Sequence, residues 1–120
     1  MSQKILVVDD EPATLKLVES LLKSKNYEVS CASDGLEALV EIQKNEPDLV
    51  VLDVMMPEIN GYDVCYQLRF NKQYEQIPII LLTKRNQEID DQIGKRVNIE
   101  YVPKPIDSDL LFAKIEALLS

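Results

Sequence analysis

Short aliphatic runs alternate along this chain with longer stretches in which apolar residues recur every three to four positions, and the pair is repeated five times. The runs lie at 4–8 (KILVV), 27–32 (YEVSCA), 48–52 (DLVVL), 79–82 (IILL) and 100–102 (EYV). Strict strand-helix alternation with short connections admits few folds: a parallel sheet with helices on both faces, joined by right-handed crossovers. The first, third and fourth runs are unbroken and suit central strands covered on both sides. The second alternates Tyr27, Val29 and Cys31, which suits an edge.

The helical segments carry their own punctuation. The first begins near Glu11, because Pro12 fits the first helical position, and Leu15, Val18 and Leu22 form its apolar stripe. Asp34 followed by Glu37 has the form of a capping box; Leu36, Leu39 and Val40 are expected to face inward, and Asn45 to Pro47 stop the helix. Further helices are expected over 62–70, over 88–97 on Ile89, Ile93 and Val97, and over 108–119. Gly61 is expected to serve backbone geometry where the third helix starts.

With 120 residues and no linker or low-complexity tract, the chain reads as one domain over 1–120. No run is long enough to cross a bilayer and no basic-plus-apolar leader is present, so the expected location is the cytoplasm. The balance of 13 basic and 21 acidic residues, a formal charge of -8, repels nucleic acid and anionic membranes. The chain has no histidine, which excludes Ser-His and Cys-His pairs, histidine acid-base chemistry and any role as a phosphohistidine donor. Cys31 and Cys65 lack metal-ligand spacing and are expected to be buried free thiols.

Ligands of such sheets sit outside the carboxyl ends of the strands, and the polar residues fall there. Asp9 and Asp10 follow the first strand, Asp53 the third, Thr83 the fourth and Lys104 the fifth. Each has an ordinary reading: Asp9 and Asp10 as helix caps, Asp53 as a strand-end acid bonded to loop amides, Thr83 as a turn hydroxyl, Lys104 as a solvated loop residue, Tyr101 as packing. Convergence of four strand ends on one rim favours a common purpose. Clustered carboxylates cannot all stay ionised without a cation, and a hard divalent ion such as Mg²⁺ or the Lys104 ammonium answers that need. Such a set suits phosphoryl transfer, with Asp53 as the nucleophile that becomes an acyl phosphate.

Four short motifs carry a resemblance: "VVDDE" (7–11), "LDVMMPEINGYD" (52–63), "ILLT" (80–83) and "YVPKP" (101–105). In this order and spacing the chain resembles, over its whole length, the receiver domain of bacterial two-component response regulators, the CheY-like superfamily. The resemblance implies an α/β fold, a doubly wound (βα)5 sheet of order 2-1-3-4-5 of the flavodoxin-like kind. It implies that Asp53 accepts phosphate from the phosphohistidine of a sensor histidine kinase or phosphotransfer protein, making the chain a phosphoacceptor that assists its own phosphorylation and dephosphorylation rather than an enzyme. Asp10, Asp53 and the Met55 backbone carbonyl are the implied ligands of Mg²⁺ (or Mn²⁺), with Asp9 acting through a water. Thr83 and Lys104 would contact the phosphoryl group, Tyr101 would change rotamer, and Lys104-Pro105 would be a cis peptide. The output would be a face of fourth helix, fifth strand and fifth helix, which controls a downstream partner or output domain and is a candidate homodimer surface. The resemblance fits either a stand-alone regulator or the amino-terminal domain of a longer one.

Two departures stand out. The residue after Thr83 is usually small in that family and is Lys84 here, a cation expected to slow loss of the phosphoryl group. The frequent Gly-Ala before the fifth strand is missing from "KRVNIEYVPKP", so the fourth helix is expected to be shortened or irregular. A flavin-mononucleotide binder of the same topology would need a hydroxyl- and glycine-rich loop where "DDEPAT" offers negative charge. A haloacid-dehalogenase-type phosphatase would want an aspartate at position 55. A phosphorylation-independent interaction module of the same fold is the remaining alternative, and the intact acceptor set argues against it.

Overall fold

The computed structural model describes residues 2–84 and 98–120. Within them lie β1 (Lys4–Val8), α1 (Pro12–Ser24), β2 (Glu28–Ala32), α2 (Gly35–Asn45), β3 (Leu49–Asp53), α3 (Gly61–Arg69), β4 (Ile79–Thr83), β5 (Ile99–Pro103) and the C-terminal helix α4 (Ser108–Leu119). The strands form one sheet of order β2-β1-β3-β4-β5, all pairings parallel. The expected order and the expected placement of the second strand at an edge are both found. The helix expected over 88–97, and any shortening of it, lies outside the described residues.

Alternate residues of the inner strands feed two cores, as the two-residue period of a strand requires. On one face Leu6, Val8, Val50, Leu52, Ile79 and Leu81 pack with Ala38 and Ile42 of α2 and Val64, Cys65 and Leu68 of α3. On the other, Ile5, Val7, Leu49, Val51, Ile80 and Leu82 pack with Val18 and Leu22 of α1 and Leu111 and Ile115 of α4. Each fully buried aliphatic side chain contributes on the order of 1.5–3 kcal/mol, so the three central strands are a firm base for what their ends carry.

Three local expectations need correction. Leu36 and Val40 do not face inward: they are 63% and 57% exposed, and the buried line of α2 is Gly35, Ala38 and Ile42. The reason is Gly35, whose missing side chain lets the helix start close against Ile59; a Cβ there would meet the Ile59 carbonyl oxygen at 2.5 Å. Asp34 does cap α2 by accepting from the Glu37 amide, but the Glu37 carboxylate takes the Ser33 hydroxyl instead of closing the box. The reciprocal box forms at α3, between Asn60 and Asp63. Finally, Cys65 is buried but Cys31, on the edge strand, is only half-buried.

Candidate functional site

The register places the polar residues at one end of the sheet. Val8 pairs with Leu52, Asp53 with Leu82 and Thr83 with Pro103, so the chain leaves β1, β3, β4 and β5 on a common rim. Asp9 continues β1 by donating its amide to the Ala32 carbonyl and is fully buried, whereas Asp10 is exposed. Carboxylate oxygens of Asp9, Asp10 and Asp53 lie within 4.8 Å of one another.

Asp53 is the centre of this group. It is 1% exposed at the tip of β3, and its Oδ1 accepts from the Met55 amide at 3.3 Å. Burial, and next the neighbouring Asp9 charge, push its carboxyl up to about 6, against the opposing pull of Lys104 and the Met55 amide. Asp9 Oδ1 accepts from the Glu11 amide at 2.9 Å. Asp9 Oδ2 lies 3.0 Å from Lys104 Nζ at an angle that makes no hydrogen bond, so this buried oxygen has spare capacity toward a cation.

Lys104 crosses from β5 to meet these acids. Its amide donates to the Thr83 carbonyl at 2.6 Å, and its ammonium lies 3.0 Å from Asp9, 3.0 Å from Glu11 Oε1 and 3.4 Å from Asp53 Oδ1. Burial works to lower the pKa of Lys104, but the Asp9, Glu11 and Asp53 carboxylates overrule it and the pKa is raised. The following peptide, Lys104-Pro105, is cis.

Other sequence-flagged residues fall around this core. Thr83 is buried at the end of β4 and Lys84 is exposed just beyond it. Tyr101 is half-buried against the core on the α2 and α3 face, and its carbonyl accepts from Lys114 Nζ of α4 at 2.8 Å. The Met55 side chain is exposed, and its amide rather than its side chain meets Asp53. Both cysteines lie off the site, and burial, with Glu19 adding to it, pushes the Cys31 thiol up to about 11. Sequence reading missed Glu11. The only signal was that it extends an acidic pair to three, "DDE".

All-oxygen, multiply charged and partly dehydrated, the cluster matches the preference of a hard divalent cation. The model of the response regulator receiver domain matches residues 5–116. This chain belongs to that family.

Relatives of the receiver domain agree along its whole length. It is 41% identical over 120 residues to the alkaline phosphatase synthesis transcriptional regulatory protein PhoP of Bacillus subtilis, covering 99% of this chain and 49% of that protein. The receiver domain thus spans about half the length of that curated relative. Among solved structures it is similar to the chemotaxis response regulator CheY4 of Vibrio cholerae, with 32% identity, a TM-score of 0.88 and coverage of 99% and 100% of the two chains. It is also similar to the receiver domain of the sensor histidine kinase PA1611 of Pseudomonas aeruginosa, with 26% identity, a TM-score of 0.87 and coverage of 99% and 98%. That structure has a magnesium ion coordinated in its active-site cleft. Among the described residues of the receiver domain, no helix is long and apolar enough to cross a membrane.

Proposed function

We propose that this receiver domain is a phosphoacceptor switch in which Asp53 takes a phosphoryl group from the phosphohistidine of a sensor histidine kinase or a phosphotransfer protein. The observation that carries this reading is the Lys104 ammonium 3.4 Å from Asp53 Oδ1, beside two further carboxylates, at the carboxyl end of the sheet. An Asp53 oxygen attacks phosphorus as the P–N bond to the imidazole breaks; the electron pair stays on the ring nitrogen, which takes a proton from water. Lys104 pairs with the phosphoryl oxygens, and the Thr83 hydroxyl turns to donate to one of them. Burial keeps water from competing for Asp53, and the rigid tip of β3 keeps its carboxylate in line.

Mg²⁺, with Mn²⁺ as a substitute, would be held by Asp10, Asp53 and the Met55 backbone carbonyl, with Asp9 acting through a water, and would supply neutralisation of the transferring oxygens. The buried, under-used Asp9 Oδ2 and the three carboxylates within 4.8 Å fit such an ion.

The chain acts on no separate substrate; it assists its own phosphorylation and dephosphorylation. Added phosphoryl charge draws in Thr83, Tyr101 changes rotamer into the vacated space, and β5 and α4 transmit the change to a downstream protein or an output domain. The helix expected over 88–97, which the family resemblance implies is part of the same output face, lies outside the described residues. That face is also the proposed homodimer surface. With a charge of -8 the domain itself binds neither nucleic acid nor membrane, and it works in the cytoplasm.

The test is incubation with acetyl phosphate, with and without Mg²⁺, read by intact-mass spectrometry. Wild type should gain one phosphoryl group only with Mg²⁺, and Asp53→Asn none. An unlabelled wild type would point instead to a phosphorylation-independent interaction module.

A further inference from the structure

We infer that Glu11 is a positioning residue whose carboxylate holds the Lys104 ammonium in competition with Asp53, and must release it before the acceptor site is loaded. This inference rests on the reading of Asp53 as the phosphoacceptor and concerns what sets the ease of loading.

Three carboxylates share Lys104, and they are not equivalent. Asp9 and Asp53 are 0% and 1% exposed and fixed at strand ends, whereas the Glu11 side chain is 51% exposed. Glu11 nevertheless accepts a well-formed hydrogen bond from the ammonium at 3.0 Å, closer than the 3.4 Å that separates Lys104 from Asp53. The lysine is therefore held closer by the one acid that can swing into water at little cost than by Asp53. An incoming phosphoryl group brings about two negative charges to the same ammonium, which repels Glu11 and offers Lys104 a better partner.

The usual job of an acid at this position is absent. Glu11 is the N-cap residue of α1, yet its side chain makes no cap hydrogen bond. The helix start is held instead by the Glu11 amide on Asp9 Oδ1 and by Pro12 in the first turn. Asp9 thus fixes the backbone of Glu11 while leaving its carboxylate free to reach Lys104, 93 positions away in sequence. Glu11 also feels the charge of Lys84 on the exposed rim. A half-exposed ion pair shifts such an equilibrium by a few-fold, about two- to fivefold.

The experiment compares wild type, Glu11→Gln and Glu11→Asp, with Asp53→Asn as blank, in saturating Mg²⁺. It reads the apparent KM and maximal rate of labelling by acetyl phosphate and, by calorimetry, the affinity for beryllofluoride, which occupies a phosphoryl site without reacting. Glu11→Gln should lower KM and tighten beryllofluoride binding two- to fivefold, with the maximal rate within twofold of wild type and the thermal midpoint unchanged. Glu11→Asp keeps the charge but withdraws it by one methylene, and should behave like Glu11→Gln. Equality of Glu11→Gln with wild type in both measurements overturns the inference. So does a Glu11→Asp that matches wild type while Glu11→Gln differs, since charge alone would then be acting. If wild type labels at Asp53 and the variants do not differ, only this inference falls; if wild type gains no phosphoryl group, the proposed function falls with it.

Discussion

Gly61 lies against the carbonyl of Asp53 so closely that a Cβ on it would sit 2.5 Å from that oxygen and 3.0 Å from the Val54 Cα. Its φ is not positive, so glycine is required here for proximity rather than for a left-handed turn. Both obstructing atoms are backbone and cannot rotate aside. Gly61→Ala must therefore push α3 away from the tip of β3 or tilt Asp53. The expected cost is about 1–3 kcal/mol in urea unfolding, as for overpacking of a core, together with slower labelling by acetyl phosphate. Gly35→Ala, crowded by Ile59 and remote in sequence from Asp53, should lose stability with a smaller effect on labelling.

Asp53 also makes the metal-free protein sensitive to pH. Its carboxyl stands at about 6 in the fold against an ordinary 3.8, so between those values the folded state holds a proton that the unfolded state has lost. Its contribution to stability is present below pH 4 and disappears as pH rises through 6. Asp53→Asn, which carries no charge at any pH, should match wild type near pH 4 and exceed it at pH 7.5 by on the order of 1–3 kcal/mol. Urea unfolding in EDTA at the two pH values checks this; a variant no more stable than wild type at pH 7.5 would contradict it.

The inner strands were legible in the sequence because residues such as Leu6, Val51 and Leu81 are wholly buried, and a short continuous aliphatic run between turn residues suits a strand covered on both faces. The inward face of α2 was not. Its apolar residues fit a helical stripe at 36, 39 and 40, whereas the packed line at 35, 38 and 42 begins with a glycine and an alanine, whose smallness matters only once Ile59 is opposite. At the site, the types and strand-end positions of Asp53, Thr83 and Lys104 were enough to bring them to one rim. Among three consecutive acids, however, no pattern says that Asp9 turns inward, Asp10 stays exposed and Glu11 reaches Lys104. That choice depends on how the chain leaves β1 in three dimensions.

Protons and a divalent cation compete for Asp53. Mg²⁺ affinity should be nearly independent of pH well above 6 and fall by up to about tenfold per pH unit below it. Addition of Mg²⁺ at pH 7.5 should raise the thermal midpoint of wild type more than that of Asp53→Asn, because bound cation removes the repulsion among Asp9, Asp10 and Asp53. Calorimetric titration at pH 5, 6 and 7.5 supplies the first comparison and a thermal melt with and without metal the second. A metal affinity unchanged at pH 5 would mean that Asp53 is not among the groups that bind it.

Lys84 sets the last expectation, which concerns how long a phosphoryl group survives. It follows Thr83 directly, is exposed, and its positive charge is felt at Glu11, so it stands at the open side of the acceptor site. A long cation there can pair with phosphoryl oxygens and narrow the approach of water to phosphorus. Lys84→Ala should lose its phosphoryl group faster than wild type, by about two- to fivefold, the scale of one exposed charge contact. Lys84→Arg should keep most of the wild-type lifetime. The check is decay of phosphorylated protein after removal of the donor, followed by mass spectrometry at constant Mg²⁺. An equal or slower decay in Lys84→Ala would assign the lifetime to the burial of Asp53 alone, with Lys84 no more than a solvated residue on the rim.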